Sequence, residues 1–173
     1  GLSIEAAMAF GTGHHPTTVG CLRALDRLAR HRRPRRIADI GCGTGVLALA
    51  AVKLWKARAL AGDIDAVAVA TARANARLNG APGAVLVAQA AGFRAPLLKA
   101  GRYDLVFANI LARPLRRLAP QMAAHVRRGG HAILSGILDR QAASVLATYR
   151  GWGFVCADRL DLGEWTTLTL QRK

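Results

Sequence analysis

The stretch Asp39-Ile40-Gly41-Cys42-Gly43-Thr44-Gly45 constrains this chain more than any other. Ile37 to Ile40 reads as a short apolar strand and the Ala-rich run Val46 to Lys53 as a helix, so three glycines fall at a strand-to-helix junction. Without side chains, such a junction bends sharply and lets the backbone approach a ligand closely. A second strand, Ala57 to Gly62, leads into Asp63, 22 residues after Gly41, where an acid can accept both hydroxyls of a ribose. A strand, a glycine turn, a helix and a strand-end acid together describe a nucleotide-type site in an α/β domain.

The rest of the chain repeats the alternation of short apolar runs with segments of helical spacing. Pro16 and Thr17 open a helix carrying Val19, Leu22, Leu25 and Leu28, which ends near Arg30. Arg30 to Arg36 is a charged connector, read as a solvated loop. Asp65 caps a helix bearing Val67, Thr71, Ala74 and Leu78, and Asn79-Gly80 closes it. Ala84 to Val87 is a third strand. Tyr103 to Ala108 is a fourth, apolar enough to lie centrally with both faces covered. Leu111, Leu115, Leu118 and Met122 mark a helix kinked or restarted at Pro120. A fifth strand, His131 to Leu134, and a helix, Gln141 to Arg150, follow. Phe154 to Leu160 and Thr166 to Leu170 are then joined by the turn Asp161 to Glu164 with no helix between them, which predicts an antiparallel hairpin at the sheet edge.

Composition narrows the class. At 173 residues, with 52% hydrophobic and 20% charged residues, the chain suits one folded domain and excludes a disordered one. The longest uncharged stretches, Ala6 to Leu22 and Leu78 to Phe93, are broken by polar residues and stop short of the roughly 18 apolar residues of a membrane span. Three cysteines, Cys21, Cys42 and Cys156, form no disulfide framework or metal-ligand spacing, so a reducing, cytoplasmic setting is expected. The formal charge of +15 suits an anionic partner. Arginine-rich, alanine-rich usage gives the same excess through composition alone, so direct RNA contact stays open. The chain opens Gly1-Leu2-Ser3 without Met and reads as a piece of a longer protein.

Dinucleotide sites usually read G-x-G-x-x-G and seat a pyrophosphate on the helix N-terminus. This turn reads G-x-G-x-G, preceded by acidic Asp39, which suits a ligand carrying an amino acid and a positive charge. Asp39 to Gly45, Gly62-Asp63-Ile64-Asp65 and the terminal hairpin resemble the class I, seven-stranded S-adenosylmethionine-dependent methyltransferases. Met8 to Thr18, Phe107-Ala108-Asn109-Ile110-Leu111, Leu134-Ser135-Gly136-Ile137-Leu138 and Glu164-Trp165 resemble a narrower group, the bacterial methyltransferases of large-subunit ribosomal protein eleven (the PrmA family), over essentially the whole chain.

The resemblance implies a Rossmann-like doubly wound sheet and a cofactor, S-adenosylmethionine, held by Thr18, Gly41, Gly43, Asp63, Ile64 and Asn109. Gly41 and Gly43 would admit the methionine end against bare backbone, Asp63 would hold the ribose, Ile64 would lie on the adenine and the Thr18 hydroxyl would reach the methionyl carboxylate. Residues 1–16, with Phe10 as apolar face, would form a loop over the cofactor. His14 and His15 are adjacent and diverge on any regular element, so no metal site is expected. Family members carry a small N-terminal domain that grips the ribosomal protein; residues 1–173 would be the catalytic domain alone, and a monomer is expected.

Asn109 is the candidate catalytic residue. Methyl transfer from a sulfonium needs a neutral nucleophile held in line, and a neutral amide carbonyl can orient an amine without holding it protonated. Related enzymes that methylate planar amides or bases carry Asn-Pro-Pro-Tyr here; Asn109-Ile110-Leu111-Ala112 suits a flexible alkyl amine instead, an α-amine or a Lys side chain. Two rivals remain at this level. A nicotinamide-dependent dehydrogenase would share the turn and the acid but lack the terminal hairpin. A noncatalytic RNA-binding module would use Arg113, Arg116, Arg117, Arg127 and Arg128 on an outer face and leave the glycine turn idle.

Overall fold

The computed structural model describes residues 15–173. These form strands β1 (Arg36–Ile40), β2 (Arg58–Asp63), β3 (Val85–Gln89), β4 (Tyr103–Asn109), β5 (Val126–Leu138), β6 (Phe154–Leu162) and β7 (Trp165–Arg172). The helices are α1 (Pro16–Ala29), α2 (Val46–Trp55), α3 (Ala66–Leu78), α4 (Pro96–Lys99), α5 (Ala112–His125) and α6 (Asp139–Gly151).

All seven strands join one sheet in the order β3-β2-β1-β4-β5-β7-β6. The first five run parallel, and β7 enters antiparallel between β5 and the edge strand β6. The hairpin is therefore present at the edge, with its second strand lying inward. Its strands run longer than predicted, to Leu162 and from Trp165, because Gly163 at φ 59° turns the chain within two residues.

β4 is central, and its alternation shows why its sequence is continuously apolar from Leu105 to Ala108. Leu105 and Phe107 enter the core beneath α1, α2 and α3, among Leu22, Leu25, Leu49 and Val69. Val106 and Ala108 enter the opposite core, with Leu98 of α4, Leu115 and Met122 of α5, and Tyr149 of α6. Both faces are thus buried, and the carboxyl ends of the parallel strands are left along one edge.

Three local features depart from expectation. Pro120 does not restart the helix, which runs unbroken from Ala112 to His125, and the Arg116 carbonyl that its missing N–H leaves unserved belongs to an exposed residue. β5 extends well beyond His131 to Leu134 because it carries Gly129 and Gly136, both in the left-handed region, at register irregularities that interrupt the alternation. The one-turn helix α4 is too short to show a period.

Candidate functional site

The glycine turn is tied to the end of β2. The N–H groups of Gly41 and Cys42 both donate to the Gly62 carbonyl, at 2.8 and 3.0 Å, so the turn and Asp63 are held side by side. Asp63 Oδ2 accepts the Gly43 N–H at 2.9 Å and Oδ1 accepts the Asp65 N–H at 3.0 Å. The carboxylate is oriented by main-chain donors, and each oxygen keeps acceptor capacity for a ligand. Asp65 caps α3 through the Val67 N–H at 2.9 Å, as its position in the sequence predicts.

Gly41, Asp63 and Ile64 line a cavity of about 620 Å³, closed on the far side by Ala90 to Gly92 and by α5. At Gly43, φ is 51° and a Cβ would meet nothing within 4 Å, so the turn presents bare backbone to open space. Ile64 is 72% exposed and bounds the cavity with an apolar face. Volume, carboxylate, bare turn and apolar wall fit an adenosine-type ligand.

A second cavity, about 410 Å³, lies next to the first and shares Ile110 and Leu111 with it. Thr18, in the first turn of α1, and Asn109, at the end of β4, both line it. The Asn109 amide Nδ2 faces Thr18 Oγ1 at 3.5 Å. The Asn109 side-chain carbonyl takes no donor among the described residues. No carboxylate of the described residues lines this cavity, and Trp165 and His15 form one wall, their rings 5.2 Å apart and edge-on.

His15 is the N-cap of α1: its Nδ1 accepts the Thr17 N–H at 3.3 Å and shares a 2.7 Å hydrogen bond with the Thr17 hydroxyl. It and Pro16 thus belong to the helix start rather than to the predicted covering loop. The remainder of that loop, with Phe10, Gly11, Thr12, Gly13 and His14, lies outside the described residues.

Asp39 takes a different part from the one its sequence position suggests. It is 1% exposed and lines neither cavity; its Oδ2 accepts the Ala48 N–H at 3.3 Å, serving the start of α2, where Gly45 offers no capping side chain. Burial pushes its carboxyl up to about 7, a shift the Ala48 hydrogen bond opposes and the charge of Asp63 adds to. Arg117, exposed as expected, also stands in the wall of the larger cavity.

Several lining residues were not assigned from sequence. Pro114, Leu118 and Gln121 lie on one stripe of α5 at helical spacing, and the Gln121 side-chain carbonyl accepts the Phe93 N–H at 3.0 Å, fixing the loop opposite Asp63. Gly136 and Trp165 stand within stretches that carry the family resemblance, which was the available signal. Gly136, at φ 83°, sits where a Cβ would collide with the main chain of Ile110.

Parallel strands ending in a glycine turn, a ribose-type acid and a terminal antiparallel pair define the class I methyltransferase fold, and the hairpin separates it from a dehydrogenase. Within that class, the model of the ribosomal protein L11 methyltransferase (PrmA) family matches residues 1–173, and the chain belongs to this family. It is 50% identical over 173 residues to a ribosomal protein L11 methyltransferase of Rhodopseudomonas palustris, covering 99% of this chain and 59% of that protein. The crystal structure of a ribosomal protein L11 methylase from Lactobacillus delbrueckii subsp. bulgaricus superposes with a TM-score of 0.82 at 33% identity, over 93% of this chain and 81% of that one. An RNA methyltransferase from Salinibacter ruber, in complex with S-adenosyl-L-homocysteine, shares the fold at a TM-score of 0.70 and 20% identity, over 92% of this chain and 94% of that one. The chain spans about three-fifths of the length of the curated relatives it matches. No helix among the described residues is long and apolar enough to cross a membrane.

Proposed function

We propose that this chain is the catalytic part of an S-adenosylmethionine-dependent N-methyltransferase acting in the cytoplasm, as a monomer, on α-amino and Lys amino groups of large-subunit ribosomal protein L11. The observation that carries this reading is the junction of two cavities at Ile110 and Leu111. One holds an oriented acid beside bare backbone; the other holds Asn109 and Thr18 with no carboxylate among the described residues. Family membership supports the substrate.

When bound, S-adenosylmethionine supplies an electrophilic methyl group on a sulfonium. Asp63 holds the ribose hydroxyls, Ile64 covers the base, and Gly41 and Gly43 leave room for the chain between base and amino acid. Thr18 offers its hydroxyl to the amino-acid end. The acceptor amine enters beside Asn109, whose side-chain carbonyl takes an N–H and aligns the lone pair. A Lys amine with an ordinary pKa of about 10.4 needs roughly 4.6 kcal/mol to lose its proton at pH 7. A carboxylate at this point would raise that cost; an amide carbonyl does not.

Calorimetric titration with S-adenosylmethionine tests the core of the reading. The chain alone should bind it, and Asp63→Ala should weaken binding by about 1.5 to 3 kcal/mol, the value of a charge-assisted hydrogen bond. Equal affinities would remove Asp63 from the site.

A further inference from the structure

Opposite the carboxyl edge, about 16 Å away along β4, the sheet's other edge carries a second concave surface. A cavity of about 660 Å³ and one of about 410 Å³ adjoin there, sharing Arg32 and His131. Their walls come from the end of α1, the Arg30 to Arg36 connector, the starts of β4 and β5, and β6.

Among the described residues only two carboxylates line this groove, and both are committed. Asp158 receives Arg27 at 2.9 Å. Asp104 accepts the main-chain N–H groups of Arg35 and Arg36, each at 2.9 Å, and takes the Arg127 guanidinium at 2.6 Å. Asp104 thereby clamps the connector to the start of β4, so its arginines are held over the groove and do not trail from a free tail. Arg32, Arg33, Arg35 and Arg128 have no carboxylate partner among the described residues. At the groove floor, burial first, and then the charge of Arg32, hold the His131 imidazole below its usual range.

We infer that this groove is a binding surface for the phosphate backbone of an RNA strand, which the chain can hold while its cofactor site is in use. Guanidiniums match phosphate oxygens in a two-pronged fork, and Arg32, Arg33, Arg35 and Arg128, none paired with a carboxylate among the described residues, line one cavity of this groove together. A lipid surface fits less well, because none of the exposed large apolar side chains lines the groove to anchor in a bilayer. The choice of RNA as the polyanion rests on the proposed ribosomal substrate; the groove itself does not depend on the methyl-transfer reading.

Fluorescence anisotropy with a labelled 24-nucleotide single-stranded RNA of mixed sequence, titrated at several salt concentrations, provides the test. The full chain should bind at 0.1 M salt, and saturating S-adenosylhomocysteine should not displace the RNA. The triple variant Arg32→Gln, Arg35→Gln, Arg128→Gln should lose at least tenfold in affinity. Its salt dependence should flatten by about 2 log units per log of salt, the release expected for three phosphates on a single strand. A matched triple, Arg113→Gln, Arg116→Gln, Arg140→Gln, should retain most of the affinity. The Lys version of the first triple should regain the salt dependence and part of the affinity, which separates lost charge from a misfolded chain. The inference fails if the two Gln triples weaken binding equally, if neither does, if S-adenosylhomocysteine competes, or if vesicles with 30% phosphatidylserine outcompete RNA of equal charge. Calorimetry with S-adenosylhomocysteine on the same samples reads the cofactor site independently, so failure of the groove and failure of the methyltransferase reading give different results.

Discussion

At the scale of single residues, Asn109 is where binding and chemistry can be told apart. Its amide faces Thr18 at 3.5 Å, while its carbonyl has no donor among the described residues, so truncation should remove an acceptor for the substrate amine more than a contact to the cofactor. Asn109→Ala should lower turnover at saturating S-adenosylmethionine by on the order of 100-fold, with a much smaller change in cofactor affinity measured by calorimetry. Asn109→Asp should slow the reaction at pH 7 and regain rate as pH rises, because a carboxylate favours the protonated amine and its hold weakens once the amine has lost its proton. If saturating cofactor restores the Ala variant's rate, Asn109 only closes the pocket. Residue type alone did not separate the acids near this site. Asp63 and Asp39 both stand at strand ends beside the glycine turn, yet one reaches a cavity and the other lies buried under α2 with its carboxyl pushed up to about 7. That difference depends on which face of the pleat each occupies and on what covers it, which a short strand with both faces buried does not announce.

At the scale of elements, the turns of the site are rigid because backbone approaches backbone. Gly136 interrupts β5 at a register shift and brings that strand against the main chain at Ile110, the residue shared by both cavities. Gly136→Ala should therefore cost more than its positive φ alone. We expect a loss of about 2 to 4 kcal/mol in urea denaturation, as for overpacking combined with backbone strain. Gly80→Ala, at φ 66° with nothing within 4 Å, should lose only about 1 to 2 kcal/mol. Equal losses would show that the approach to Ile110 carries no weight. Elements bounded by specific chemistry were legible in the sequence: Asp65 and Asn79-Gly80 bracket α3 where expected, and β4 declares its central place by the apolar run Leu105 to Ala108. The bounds of β5 were not, since the sequence predicts His131 to Leu134 while the element passes through Gly129 and Gly136 as irregular strand. Thr18 and Asn109, 91 residues apart, meet only through the closing of the sheet, and the family resemblance was the one signal that joined them.

At the scale of the whole molecule, the described fold gathers the proposed cofactor contacts at the carboxyl ends of the parallel strands. Of the two cavities there, the larger is walled by α5 and the loop after β3, and the smaller by α1 and the end of β5. Chemistry and cofactor binding should therefore survive in this chain, whereas delivery of the acceptor should depend on effective concentration, which a recruiting domain raises by making the second encounter intramolecular. The curated relatives are longer than the span they share with this chain, which leaves length for such a domain. We expect this chain to methylate ribosomal protein L11 at least tenfold more slowly at micromolar substrate than the longer Rhodopseudomonas palustris relative, in a mass-spectrometric time course. The deficit should lie in kcat/KM and shrink as substrate concentration rises, because recruitment changes how often the amine arrives and not how it reacts. Matching rates at low substrate would show that 173 residues suffice for recognition. A deficit that persists at saturating substrate would place the fault in the catalytic rim itself.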